Sequence, residues 1–142
     1  MIFFGADHAG IGLKNTLLAA AQARGLETTD LGTYGDESVD YPDFGHAVAQ
    51  AVLENDGSLG VLVCGTGQGI SMSANRHPGI RAALCTDTFS ARMSRMHNDA
   101  NVLCMGARVV GAGLAEDILE AFLGAEFEGG RHARRVAKIE LA

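Results

Sequence analysis

The chain has 142 residues, enough for one domain with a sizeable core and too few for two. Eleven Lys and Arg stand against seventeen Asp and Glu, a net charge of −6, which excludes an overall basic footprint for nucleic acid or an anionic membrane. With 47% hydrophobic residues, 20% charged and two prolines it is neither disordered nor low in complexity.

The charge is lopsided: residues 1–71 hold two basic and nine acidic side chains, residues 72–142 nine basic and eight acidic. The N-terminal MIFFGADHAG lacks a positive n-region and a long apolar h-region, so residues 1–5 read as a strand and not a signal peptide. A helix follows over 11–24, stopped at Gly25, then a strand over 26–31. Pro42 suits the first turn of a helix over 42–55. Next come a strand at 59–64, a helix at 69–76, a strand at 80–85, a helix at 88–97 and a strand at 102–105. A helix over 114–123 carries Leu114, Ile118 and Phe122 at a spacing of four, and a basic helix over about 131–141 follows Gly129-Gly130.

This alternation predicts a single domain over 1–142 with a three-layer α/β/α, Rossmann-like fold: one five-stranded parallel sheet with helices on both faces. No apolar run approaches the roughly 18 residues that span a bilayer. Cys64, Cys85 and Cys104 are odd in number and lack a CxxC pair, so neither a disulfide framework nor a zinc knuckle is indicated. A cytoplasmic protein with reduced thiols is expected.

Ligands of such folds collect at the carboxyl ends of the strands. There the sequence places Ala6-Asp7-His8-Ala9-Gly10, then Gly32-Thr33-Tyr34 leading through Asp40-Tyr41-Pro42, then the Gly-rich loop after Cys64, then Thr86-Asp87. The strongest local motif is Cys64-Gly65-Thr66-Gly67-Gln68-Gly69-Ile70-Ser71. Its alternating glycines leave backbone N–H groups to converge on an anion or an oxyanion, although a plain tight turn has the same look. The spacing is GxGxG, not GxGxxG, and no Lys completes a P-loop.

Cys64 enters that loop next to a helix start, a position that favours thiolate and suits a general base or nucleophile; a buried structural cysteine is the alternative. Cys85 and Cys104 read as structural. His8 and His97, each beside carboxylate or amide side chains in Asp7-His8 and His97-Asn98-Asp99, could shuttle protons, or could be a loop residue and a helix cap. His46 reads as a helix-face residue and His77 as part of a His-Pro-Gly turn. Arg131 and Arg135 share a helical face, as do Arg134 and Lys138, and such a pair can grip a phosphate. Arg108 follows the fifth strand at the edge of the loops, while Phe89, Met93 and Met96 read as core or interface packing. No His/Cys/Asp group has metal-ligand spacing, so no metal is expected.

The sequence resembles the ribose-5-phosphate isomerase type B family over essentially its whole length. The resemblance rests on Gly5-Ala6-Asp7-His8-Ala9-Gly10, Asp40-Tyr41-Pro42, the Cys64 loop, Ala74-Asn75 and His97-Asn98-Asp99-Ala100-Asn101. It continues through Gly106-Ala107-Arg108-Val109-Val110-Gly111 and Glu128-Gly129-Gly130-Arg131-His132. It implies cofactor-free interconversion of an aldose phosphate and its ketose through a cis-enediolate, with ribose 5-phosphate or another sugar phosphate (allose 6-phosphate, galactose 6-phosphate or a tetrose phosphate) as substrate.

By the same resemblance Cys64 is the base, Gly65, Gly67, Gln68 and Gly69 belong to the loop holding the enediolate oxygen, and Thr66 is a polar residue close to the base. His97 is the ring-opening histidine and Asn98 its substrate-binding neighbour. Asp7 and Tyr41 lie around the sugar hydroxyls, and His8, Arg131 and Arg135 hold the phosphate, joined by Arg108 from a second subunit. That moves the Gly-rich loop from the phosphate, where its glycines alone would put it, to the reacting oxygen. A homodimer or dimer of dimers with interfacial sites is implied, with no nucleic-acid or membrane partner.

Overall fold

In the computed structural model, which describes residues 1–141, five strands form one parallel sheet. They are β1 (Ile2–Ala6), β2 (Thr28–Asp30), β3 (Leu59–Cys64), β4 (Ala82–Leu84) and β5 (Val102–Gly106), in the order β2-β1-β3-β5-β4. The helices are α1 (Ile11–Ala23), α2 (Tyr41–Glu54), α3 (Gln68–Ala74), α4 (Thr88–Asn98), α5 (Ala112–Leu123) and α6 (Arg131–Ala137). The single-sheet α/β architecture read from the sequence is therefore the one observed. Among the described residues no helix is long and apolar enough to cross a membrane.

Alternation along the strands sorts the two cores. Phe4, Val61, Val63, Leu103 and Met105 face Leu17, Ile118, Leu119 and Phe122 of α1 and α5. Phe3, Leu62, Cys64 and Cys104, one residue out of phase, face Val48, Val52 and Ile70 of α2 and α3. Each fully buried Leu or Phe contributes about 2 kcal/mol of transfer free energy. Both cores therefore press on β3, which has a strand on either side and a helical layer on either face.

The differences from the sequence reading have physical causes. The second and fourth strands shrink to three residues each, because both lie at sheet edges with a single pairing partner. Of the expected run in α5, Ile118 and Phe122 are buried while Leu114 is exposed, and Ala115 and Leu119 complete the buried face. The basic helix stops at Ala137 rather than near 141, and the chain turns so that Glu140 Oε1 accepts from the Gly79 N–H at 2.9 Å.

One buried charge pins the β1–β2 side. Lys14 of α1 is fully buried, and its Nζ donates to Asp30 Oδ1 and Oδ2 at 2.8 and 2.9 Å and to the Thr33 carbonyl at 2.7 Å. Asp30 Oδ1 also accepts from the Gly32 N–H at 2.9 Å. The ammonium's three donors are thus all used, and the turn after β2 is tied to α1. Lys14→Met, which leaves Asp30 and the carbonyl without their cation, should lower stability by about 3 kcal/mol in urea unfolding at unchanged m-value. An unchanged urea midpoint would remove this knot from the fold's essential contacts.

Candidate active site

The carboxyl end of β3 abuts that of β1, and the chain leaves β1 toward β2 on one side and re-enters as β3 on the other. This is the topological switch point where such sheets open a crevice. Cys64 closes β3, buried on the α2–α3 face. Gly67 N–H donates to its Sγ at 3.2 Å, and Gln68 N–H donates to Thr66 Oγ1 at 3.3 Å. The helix after the loop has only seven residues, so the sulfur is served by a directed N–H more than by a long helix's field.

Two glycines make this loop possible. Gly67 adopts φ +80°, and a Cβ there would lie 2.5 Å from Leu84 Cδ1 and 2.8 Å from the Met105 carbonyl carbon. A Cβ on Gly106 would meet the Thr66 backbone at 2.5 to 2.7 Å. The loops after β3 and β5 thus lie in backbone contact, and Ala107 N–H donates to the Cys64 carbonyl at 2.9 Å, Arg108 N–H to the Gly65 carbonyl at 3.0 Å.

Around this loop the structure gathers several of the expected residues. The Tyr41 ring, at the start of α2, lies against Gly69, and the Arg108 guanidinium lies over Gly65. Asp7 is buried beside Val63, to whose carbonyl its N–H donates at 3.3 Å. Its Oδ1 accepts from the Ala9 and Gly10 N–H groups at 3.0 Å each, starting α1 and leaving Oδ2 for other partners. His8 is exposed, with Nδ1 accepting from the Val39 N–H at 3.1 Å. Asp87, at the same edge, is committed to capping α4: the Ser90 N–H bond at 2.7 Å holds its carboxyl below the usual range.

His97, Asn98, Arg131 and Arg135 are not in this group. A helix that follows a parallel strand returns the chain to the opposite edge, and the eleven residues of α4 carry it about 16 Å back. There Asp99, in a left-handed conformation at φ 48°, ends the helix and accepts from Arg81 Nη2 at 3.2 Å. The neighbouring Asn101 carbonyl receives the Gly60 N–H at the start of β3. α6 goes with this end: the His132 ring stacks on His97 with centroids 4.3 Å apart, which puts Arg131 and Arg135 there too. A cleft of about 810 Å³ lies beside Asn98 and is bounded by Ile80, Arg81 and Ile139. One chain therefore places the expected site residues in two groups at opposite edges of its sheet.

Contacts between distant segments escaped the sequence reading. His46 and His77 meet, Nδ1 to Nε2, at 2.7 Å and join α2 to the turn before β4. His97, Glu128 and His132 bring their ligand-type atoms within 4.8 Å of one another, a cluster that no local spacing announces. Cys85 and Cys104 fit their structural reading: both are buried, and burial pushes the Cys85 thiol up to about 11 and Cys104 further. Native alkylation by iodoacetamide at pH 8, followed by mass spectrometry, should spare Cys85 and Cys104, whose thiols stay protonated below their raised pKa. Labelling of either at the rate of an unfolded control would contradict this.

Comparison with known proteins converges on one family. A family model described as Ribose/Galactose Isomerase matches residues 2–139. The chain is 50% identical over 138 residues to ribose-5-phosphate isomerase B of Escherichia coli, covering 97% of this chain and 93% of that one. It is 46% identical over 140 residues to D-erythrulose-4-phosphate isomerase of Pectobacterium atrosepticum, covering 97% and 91%. The solved ribose-5-phosphate isomerase B of Mycoplasma genitalium with bound ribulose-5-phosphate superposes with a TM-score of 0.93 at 44% identity, covering 97% and 92%.

Proposed function

The chain belongs to the Ribose/Galactose Isomerase family and is a sugar-phosphate isomerase, and from that premise we propose that it interconverts ribose 5-phosphate and ribulose 5-phosphate through a cis-enediolate. The observation that carries the proposal is Cys64 at the switch point, held by the Gly67 N–H at the entrance to the Gly-rich loop. In this reading the Cys64 thiolate removes the proton from C2 of the open-chain aldose. The C2–H electron pair forms the C1–C2 double bond, and the carbonyl pair moves onto O1. The loop N–H groups of residues 65–69 receive the developing negative charge, a service worth roughly 10²- to 10³-fold per donor in acyl-transfer enzymes. The hydrogen of the C2 hydroxyl then passes to O1, the C2–O2 carbonyl forms, and the double-bond pair takes the proton back from the thiol at C1, which completes the ketose. Thr66 lies beside the base, Tyr41 and Asp7 take the sugar hydroxyls, and His8 takes part of the phosphate.

His97 opens the furanose, Asn98 binds beside it, and Arg131, Arg135 and Arg108 complete the phosphate site. Because one chain carries these groups at opposite edges of the sheet, the reading requires a homodimer in which the second half-site comes from the partner. A surface suited to such pairing surrounds the thiol loop. β4 is an edge strand, and Leu84, Phe89 (58% exposed) and Met72 (60% exposed) are large apolar side chains left in solvent. A two-fold pairing along α4 sets the two copies of that helix antiparallel, bringing the partner's helix end to this chain's loop. The Pectobacterium relative keeps a four-carbon sugar phosphate open as the alternative substrate.

Cys64→Ala should reduce ribose 5-phosphate isomerisation by at least about 100-fold in a coupled assay. Near-wild-type turnover would remove the thiol from the reaction. Refolding Cys64→Ala together with Arg131→Ala protein should recover about a quarter of wild-type activity, since half of randomly formed dimers then carry one intact site. Activity no higher than that of the two parents would place both residues in a single chain's site.

A further inference from the structure

His97 has a fixed environment within its own chain. The Glu128 carboxylate lies between two imidazoles, Oε1 at 3.5 Å from His97 Nε2 and Oε2 at 3.9 Å from His132 Nε2. The rings are stacked, with 8° between their planes. Glu128 is held by its backbone, whose N–H donates to the Met96 carbonyl at 3.0 Å and so ties the approach to α6 to the last turn of α4.

By distance alone the three side chains form a ligand set. Nitrogen lone pairs lie in the ring planes, however, and parallel rings aim them side by side instead of at one point about 2 Å from each nitrogen. The arrangement orients a proton instead. An ionised carboxylate only accepts hydrogen bonds, so the histidine nitrogen facing it is the one that carries hydrogen. Desolvation, with the charges of His97, Arg131 and Arg135, keeps the His132 pKa below the usual histidine value, against the opposing pull of Glu128.

We propose that Glu128 is the positioning residue of the ring-opening step, holding His97 as the Nε2–H tautomer so that Nδ1 is the basic nitrogen, with the stacked His132 ring fixing the plane of the His97 ring. The inference rests on the isomerase reading above. In the step, Nδ1 takes the proton of the anomeric hydroxyl as the C1–O4 bond breaks. The C1–O1 bond becomes the carbonyl, and the proton passes from the imidazolium to O4, which leaves as the C4 hydroxyl. Glu128 itself exchanges no proton, as in the carboxylate–histidine pairs of hydrolases.

The test compares a substrate that must be opened with one that cannot close. Erythrose 4-phosphate has its C4 oxygen esterified and forms no furanose. Glu128→Gln should lower kcat/KM for ribose 5-phosphate by about tenfold or more while that for erythrose 4-phosphate stays within about twofold, and Glu128→Asp should recover part of the loss. If the wild type does not turn over the tetrose, deuterium wash-in at C1 of ribulose 5-phosphate, also acyclic, is the ring-independent reading. Equal losses in both readings would make the role merely structural, and no loss on ribose 5-phosphate would leave Glu128 without one; either overturns the proposal. Absence of both isomerisation and wash-in in the wild type would overturn the reaction itself, a failure seen without any Glu128 variant.

Discussion

The β3–β5 pairing does not end where the strands do. The Ala107 N–H to the Cys64 carbonyl and the Arg108 N–H to the Gly65 carbonyl carry the register two residues further, into loops that would otherwise be free to part. These bonds are short because Gly106 lets the Thr66 backbone approach to a distance no side chain would allow. The rest of the site hangs on that closure. Gly67 can point its N–H at the sulfur only while the loop is pressed onto Met105, and the Arg108 guanidinium covers Gly65 because the two loops share a ladder. A thiol on a central strand, buried from both faces, thereby meets the outside at the single point where the strand stops.

Sheet polarity imposes the second constraint. In an all-parallel sheet every helix is a return path, so residues at the start and at the end of one helix stand at opposite edges. α4 obeys this with Asp87 at the Cys64 edge and His97 at the other. No rearrangement of loops in one chain closes a gap set by a helix of eleven residues. A reaction that needs both the thiol and His97 is consequently a property of two chains, and the edge at Leu84 and Phe89 is exposed.

Much of this was legible in the sequence, and the reasons are local. The unbroken apolar runs at residues 59–64 and 102–105 reflect burial on both faces, and the glycines after Cys64 reflect a backbone approach that other residues would block. Lys14 was not legible: a lysine beside Leu13 in a helix looks like a solvent-facing residue until Asp30 and Thr33 arrive from another element to meet it. The Glu128–His97–His132 group was hidden for the same reason, since about thirty residues of chain separate His97 from the other two. The separation of His97 from Cys64 is a different case. The order of predicted strands and helices already implied it, because a residue closing a helix cannot share an edge with a residue closing a strand.

The Lys14 knot has a consequence for charge. Lys14 is one of only two basic residues in the first half of the chain, and its charge is spent inside the fold against Asp30. Apart from that pair, residues 1–71 carry Arg24 alone against eight acidic side chains, of which Asp7 is buried. In the isomerase reading that half supplies the thiol and His8 yet offers a dianion little long-range attraction. The cations that reading gives to the phosphate lie in the second half, where Arg108, Arg131 and Arg135 are exposed. On that division of labour, substitutions at these three arginines retune what is held while leaving the thiol of the first half untouched.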